Sequence, residues 1–157
     1  MTSPSTSPVT TSDAPATDSA EIVRAFLTAM AEADTERAID LVAEDLVYEN
    51  VSLPTIRGRQ RFAKGLRQFT QRNIGFDVRI HRIAQSGSTV LTERTDALSY
   101  GRFRSQFWVC GVFEVVDGKI TLWRDYFDWG GITVASLRGL LGVAVPSLSA
   151  RFADERG

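Results

Sequence analysis

The 157-residue chain has a single cysteine, Cys110, and a single histidine, His81. A lone cysteine excludes an internal disulfide framework. One His and one Cys cannot assemble a zinc site of the usual kind, and the acid/base chemistry argued below needs neither a metal nor an organic cofactor. There is no nucleophile elbow of the G-x-S-x-G type. Net charge is also scarce. The formal value is -1, and no basic cluster is interleaved with aromatics, so an electrostatic footprint for nucleic acid is missing. No apolar run reaches transmembrane length. The first twenty residues, MTSPSTSPVTTSDAPATDSA, carry almost no large apolar residue, and no basic residue precedes Arg24. They lack the apolar segment of a secretory signal. Residues 1–19 are therefore expected to be a disordered Ser/Thr/Pro-rich tail, with a cytoplasmic location following by default.

Hydrophobic residues make up 43% of the chain and charged residues 24%, an ordinary balance for a globular protein. Residues 20–150 are read as one domain and 151–157 as a polar tail. Ile22, Val23, Phe26, Leu27 and Met30 recur at helical spacing, with Asp18 or Ser19 as N-cap. A short helix is predicted after Asp34, turning Ala38, Ile39, Leu41 and Val42 inward. Leu46 to Val51 reads as a strand. Gly58 to about Gln71 reads as an amphipathic helix whose Arg59, Arg61, Lys64 and Arg67 form a solvated face. The second half is strand-rich. Phe76, Val78 and Ile80 alternate, as do Val90, Thr92, Arg94, Asp96 and Leu98. Phe103 to Val116 is a long strand, and Asp117-Gly118 a hairpin signal returning the chain along Lys119 to Asp128. A last helix is predicted from Ile132 to about Val145, broken by Pro146. Its Leu137, Leu140, Leu141 and Val145 form a stripe expected to cover a pocket mouth or to pack between subunits. Helices first and a meandering sheet afterwards imply an α+β domain, with helices against one face of the sheet.

The informative residues are polar groups on faces that should be apolar. Residues two apart in a strand share a face. Asp125 therefore sits between Trp123 and Phe127, Arg94 and Asp96 lie on the face of Val90 and Leu98, and Tyr48 and Asn50 on that of Leu46. A buried carboxylate is costly unless paired, and one guanidinium has donors enough for two. A buried ion network that only fixes strand register accounts for the same pattern. Tyr48 also reads as a core aromatic, and Asn50 as a turn residue before Pro54. Arg124 and Tyr126 fall on the opposite face from Asp125. His81 shares a face with Asp77 and Arg79 and is expected to be exposed. Cys110 reads as a small buried hydrophobe.

Three segments, Tyr48-Glu49-Asn50, Thr92-Glu93-Arg94-Thr95-Asp96 and Trp123-Arg124-Asp125-Tyr126-Phe127-Asp128, resemble the signature segments of the limonene-1,2-epoxide hydrolases. The run Phe107-Trp108-Val109-Cys110-Gly111-Val112-Phe113 is similar to an actinobacterial branch of that family. The resemblance spans about Glu21 to Asp128. It implies a curved mixed sheet with helices on its concave face, the cone-shaped fold shared with nuclear transport factor 2, ketosteroid isomerases and polyketide cyclases. It also implies a homodimer, a deep pocket, and hydrolysis of an apolar epoxide (terpenoid, sterol-derived or lipid) to a vicinal diol. By the same resemblance Asp125, Asn50 and Tyr48 would hold the attacking water, Asp96 would be the acid, and Arg94 would stand between the carboxyl groups. The chain departs from the limonene enzyme after Asp128, where its end is longer and richer in Gly and Leu. An isomerase, a cyclase or a lipid-binding module on the same fold are the alternatives.

Overall fold

Helix α1 (Ser19–Ala31) starts at the predicted cap, where the Asp18 carboxylate accepts the Glu21 N–H at 3.3 Å. The structure is a computed structural model and describes residues 18–51 and 53–144. The inner stripe of α1 puts Val23, Phe26 and Leu27 out of contact with water. Helix α2 (Thr35–Asp40) is capped by Asp34 and buries Ala38 and Ile39. Strand β1 (Val42–Asn50) begins four residues earlier than its predicted start at Leu46. Val42 is buried as expected, but as the first residue of a strand, in register with Ile120.

Strand β2 (Ile56–Arg57) has only two residues and pairs with β1; it is too short to show any periodicity. Helix α3 (Arg59–Gln71) follows Gly58, whose φ of 89° lies in the left-handed region that glycine tolerates. The basic face of α3 is solvated, as predicted. Arg67 forks onto Glu36 of α2, with Nε–Oε1 at 2.9 Å and Nη2–Oε2 at 2.8 Å, while Arg59 pairs with Glu44 of β1.

Strands β3 (Gly75–Ser86), β4 (Thr89–Tyr100), β5 (Phe103–Val116) and β6 (Lys119–Phe127) form an antiparallel meander. Asp117 and Gly118 both have positive φ, at 50° and 74°, as a two-residue hairpin turn requires. The sheet closes with a parallel pairing of β6 to β1, giving the order β2-β1-β6-β5-β4-β3. It is a curved, mixed sheet in a single α+β domain, with α1 packed across β3 to β6 and α3 over β1 and β2. Between helices and sheet lies an aromatic core of Phe26, Phe62, Phe113 and Trp123. The Phe26 and Trp123 rings meet edge to face at 5.1 Å.

Helix α4 (Trp129–Ala144) begins three residues before the predicted Ile132. Asp128 nucleates it, its Oδ1 accepting the Gly130 N–H at 3.0 Å and its carbonyl the Ile132 N–H at 2.9 Å. Leu137, Leu140 and Leu141 are exposed on the surface of α4. Val145, the break at Pro146, the domain end at 150, the tail 151–157 and most of the N-terminal tail lie outside the described residues. Among the described residues no helix is long and apolar enough to cross a membrane.

Candidate active site

Strand alternation carries Thr92, Arg94 and Asp96 of β4 and Asp125 of β6 onto the helix-covered face, and all four are buried. Arg94, the largest fully buried side chain, has no accessible surface. Its Nε donates to both oxygens of Asp96, at 2.9 and 3.2 Å. Its Nη2 donates to Asp125 Oδ2 at 2.6 Å, and its Nη1 to Thr92 Oγ1 at 3.1 Å. One guanidinium thus spans two carboxyl groups and a hydroxyl. The shorter, single-centre contact to Asp125 is the stronger charge-assisted bond.

A single strand, β5, separates β4, which carries Arg94, from β6, which carries Asp125, and Gly111 of β5 is in register with Thr92 on one side and Asp125 on the other. A Cβ at Gly111 would stand 2.2 Å from Arg94 Nη1, 2.7 Å from Thr92 Oγ1 and 3.0 Å from Asp125 Oδ1. The missing side chain is the space in which the arginine lies. Neither Gly111 nor Thr92 was singled out from the sequence as part of the site. The available signal was a glycine in mid-strand, which marks close approach by another group.

Tyr48 and Asn50 reach the same face from β1, where they are in register with Trp123 and Asp125 of β6. The Tyr48 ring stacks on Trp123 at 4.1 Å. Its hydroxyl lies 2.8 Å from Asn50 Nδ2 and 3.1 Å from Asn50 Oδ1. Asn50 is also the turn residue its sequence context suggested, its carbonyl accepting the Leu53 N–H at 2.8 Å. The structure therefore brings all five predicted site residues together. Asp125 Oδ1 is buried beside them without a hydrogen-bond partner among the described residues.

Burial dominates the electrostatics. It raises Asp96 from the ordinary 3.8 to about 6, against the opposing charge and hydrogen bonds of Arg94. Burial likewise raises Asp125, opposed by Arg94. The Trp123 indole also favours the Asp125 carboxylate, although its N–H falls outside hydrogen-bonding geometry. Tyr48 is pushed above its usual range, first by burial and then by the charge of Asp125, so it is a neutral phenol. Arg94 is held protonated by its two carboxylates in spite of its own desolvation.

A cavity of about 390 Å³ abuts Tyr48, Asn50 and Trp123 and extends between α3 and the sheet. Phe62, Leu66, Phe76, Phe107 and Ile132 are among its walls, and among the described residues that line it Tyr48, Asn50 and the Trp123 indole supply the polar groups and no side chain is charged.

The remaining sequence candidates lie elsewhere. His81 is exposed, its Nε2 2.8 Å from Thr95 Oγ1. Arg124 pairs with Glu49 on the outer face at 2.5 Å, and Tyr126 is exposed. Cys110 is half-buried rather than buried. Gly111 takes the inward position, so Cys110 points outward between Glu93 and Tyr126. Among the described residues no group of three or more His, Cys, Asp or Glu comes together as a metal site would require.

Residues 17–138 match the limonene-1,2-epoxide hydrolase catalytic domain. Epoxide hydrolase EphG of Mycobacterium tuberculosis (strain ATCC 25618 / H37Rv) is 55% identical over 128 residues, covering 82% of this chain and 85% of that protein. A solved LEH-like epoxide hydrolase of M. tuberculosis superposes with a TM-score of 0.84 at 52% identity, over 87% of this chain and 97% of that one. A Catenulispora acidiphila DSM 44928 protein with a ketosteroid isomerase-like fold gives a TM-score of 0.65 at 19% identity, over 74% of this chain and 92% of that one, and shares the fold alone. A match that runs from the residue before the α1 cap into α4, with a relative more than half identical over most of both chains, means that this chain belongs to the limonene-1,2-epoxide hydrolase family.

Proposed function

We propose that this chain, an enzyme of the epoxide hydrolase class, adds water to an apolar epoxide in one step, with Asp125 as base and Asp96 as acid. The observation that carries the reading is the guanidinium of Arg94 shared by two buried carboxyl groups, one of which keeps an oxygen without a hydrogen-bond partner among the described residues, beside Tyr48 and Asn50.

When Asn50 Nδ2 donates to the Tyr48 oxygen, the phenol proton is free to be given to a water, and Asn50 Oδ1 is free to accept from it. Asp125 Oδ1 accepts the other proton of that water. Two protons and one lone pair are then engaged, and the second lone pair is left for attack. As the water oxygen bonds to an epoxide carbon, the carbon–oxygen bond breaks and its electron pair stays on the epoxide oxygen. That oxygen takes the proton of Asp96, while the water proton passes to Asp125. The two carboxyl groups carry one negative charge before the step and one after it. Arg94 therefore faces the same total charge throughout, and little reorganisation is needed. The close bond to Arg94 favours the ionised form at Asp125, and the longer, shared contacts leave the proton to Asp96. The walls of the cavity suit a hydrocarbon substrate. A non-catalytic lipid carrier would bury the same apolar surface without the cost of desolvating Arg94, Asp96 and Asp125.

A single turnover in ¹⁸O-labelled water, with enzyme in excess over epoxide, tests the mechanism. The diol of that first turnover is expected to carry solvent label. An unlabelled diol, or label retained on a peptide containing Asp125 or Asp96, would instead require an aspartyl ester and would refute direct attack by water.

A further inference from the structure

Of the described residues lining the cavity, only Leu53 and Gly65 are exposed, so these two mark its mouth. Leu53 belongs to the turn after β1. Gly65 lies in the middle of α3, on the stripe of Phe62, Leu66 and Phe69, all of which line the same cavity. Nothing in the fold requires a glycine there. Its backbone is not in the left-handed region. No atom comes within 4 Å of where its Cβ would be, so no neighbouring chain needs the room. Helix propensity opposes it, since glycine is the poorest helix former after proline. What the missing side chain does leave is space at the entrance to the cavity.

We infer that Gly65 is a specificity-determining residue, the bare position on α3 that sets the bulk of the epoxide able to enter. A side chain there would take up room on the α3 side of the cavity that Gly65 lines. Alanine would narrow it slightly, and leucine would close much of it. Small rings would still pass to Tyr48 and the carboxyl groups, whereas a ring bearing a branched substituent would be held outside. The effect belongs to entry and binding, and it should appear in KM more than in kcat, because no atom of Gly65 approaches the Arg94 cluster.

This inference rests on the epoxide reading, and the experiment separates the two. Cyclohexene oxide serves as the small probe and 1,2-epoxy-4-tert-butylcyclohexane as the bulky one. Affinities for the two corresponding diols are read by tryptophan fluorescence, since Trp123 lines the cavity. In Gly65→Leu the ratio of kcat/KM for bulky over small epoxide is expected to fall tenfold or more, chiefly through KM, and the ratio of diol affinities to fall in parallel. Gly65→Ala is expected to raise Tm by about 2–4 °C while lowering the same ratio about threefold, and it carries the test if the leucine variant does not fold. Lys64→Ala, on the exposed side of α3, should leave the ratio within twofold. An unchanged ratio in a folded Gly65 variant, or a Tm that falls in Gly65→Ala, would overturn the inference. If the wild type opens neither epoxide, the reading of the site fails, and the diol affinities alone decide the role of Gly65.

Discussion

At the scale of single residues the site depends on an absence, the side chain that Gly111 does not have. Gly111→Ala is expected to cost about 1–3 kcal/mol of stability by overpacking and to lower kcat/KM at least tenfold, since the added carbon occupies the place of Arg94 Nη1. Arg94→Gln alone should cost about 3–5 kcal/mol, the usual result of removing one partner from a buried ion pair. In the Arg94→Gln background the alanine has less to displace. A double-mutant cycle by urea denaturation should therefore show coupling well above 0.5 kcal/mol; strict additivity would mean that Gly111 does not shape the arginine's berth. This residue also shows the limit of reading a site from its sequence. Arg94, Asp96 and Asp125 were legible because a charge on an apolar face breaks the strand pattern, and Tyr48 and Asn50 because they share that face. Thr92 breaks nothing, since a neutral residue is at home on a buried strand face. Gly111 signals only that some group approaches closely, and the coordinates alone reveal which.

At the scale of elements, α4 completes the cavity wall. Ile132 is one of its lining residues, and Ser136 Oγ lies 3.4 Å from Ser105 Oγ of β5. Truncation after Asp128 should therefore raise KM severalfold for bulky apolar epoxides more than for small ones, and Ile132→Ala should reproduce part of that change. Equal kinetics for both probes in the truncated enzyme would separate α4 from the cavity. The start of α4 was hidden in the sequence because Gly130 and Gly131 occupy its first turn, where the decisive signal was the cap at Asp128. The early start of β1 was hidden for another reason. Val42, β-branched and buried, satisfies the inner face of a helix end and the first position of a strand equally well. The meander, by contrast, was announced by long alternations and by Asp117-Gly118, and its strands fall where those signals place them.

At the scale of the whole molecule, burying two carboxyl groups sets a dependence of stability on pH. Asp96 in the folded chain holds its proton up to about pH 6, against an ordinary value of 3.8. Between those values the folded state binds more protons than the unfolded one, so stability declines as pH rises through this window, by on the order of 3 kcal/mol for this group. The stability of Asp96→Asn, measured by urea denaturation, should gain on that of the wild type as pH rises from 4 to 7. A constant difference between the two would show that Asp96 titrates as it does in the unfolded chain. The fold carries one more consequence, which concerns the order of assembly. Arg94, Asp96 and Asp125 stand on strands joined to their neighbours by the meander. Tyr48 and Asn50 arrive on β1, whose partner β6 is about as far along the chain as Glu49 is from Arg124, 75 residues. Closing so long a loop is the slow part of building such a sheet. Among the described residues β1 is the first strand made, and it cannot find its place in the sheet until β6, the last of them, has followed. The half of the site proposed to transfer protons can take shape within the meander, while the half that would hold water waits for the first-made strand to be paired.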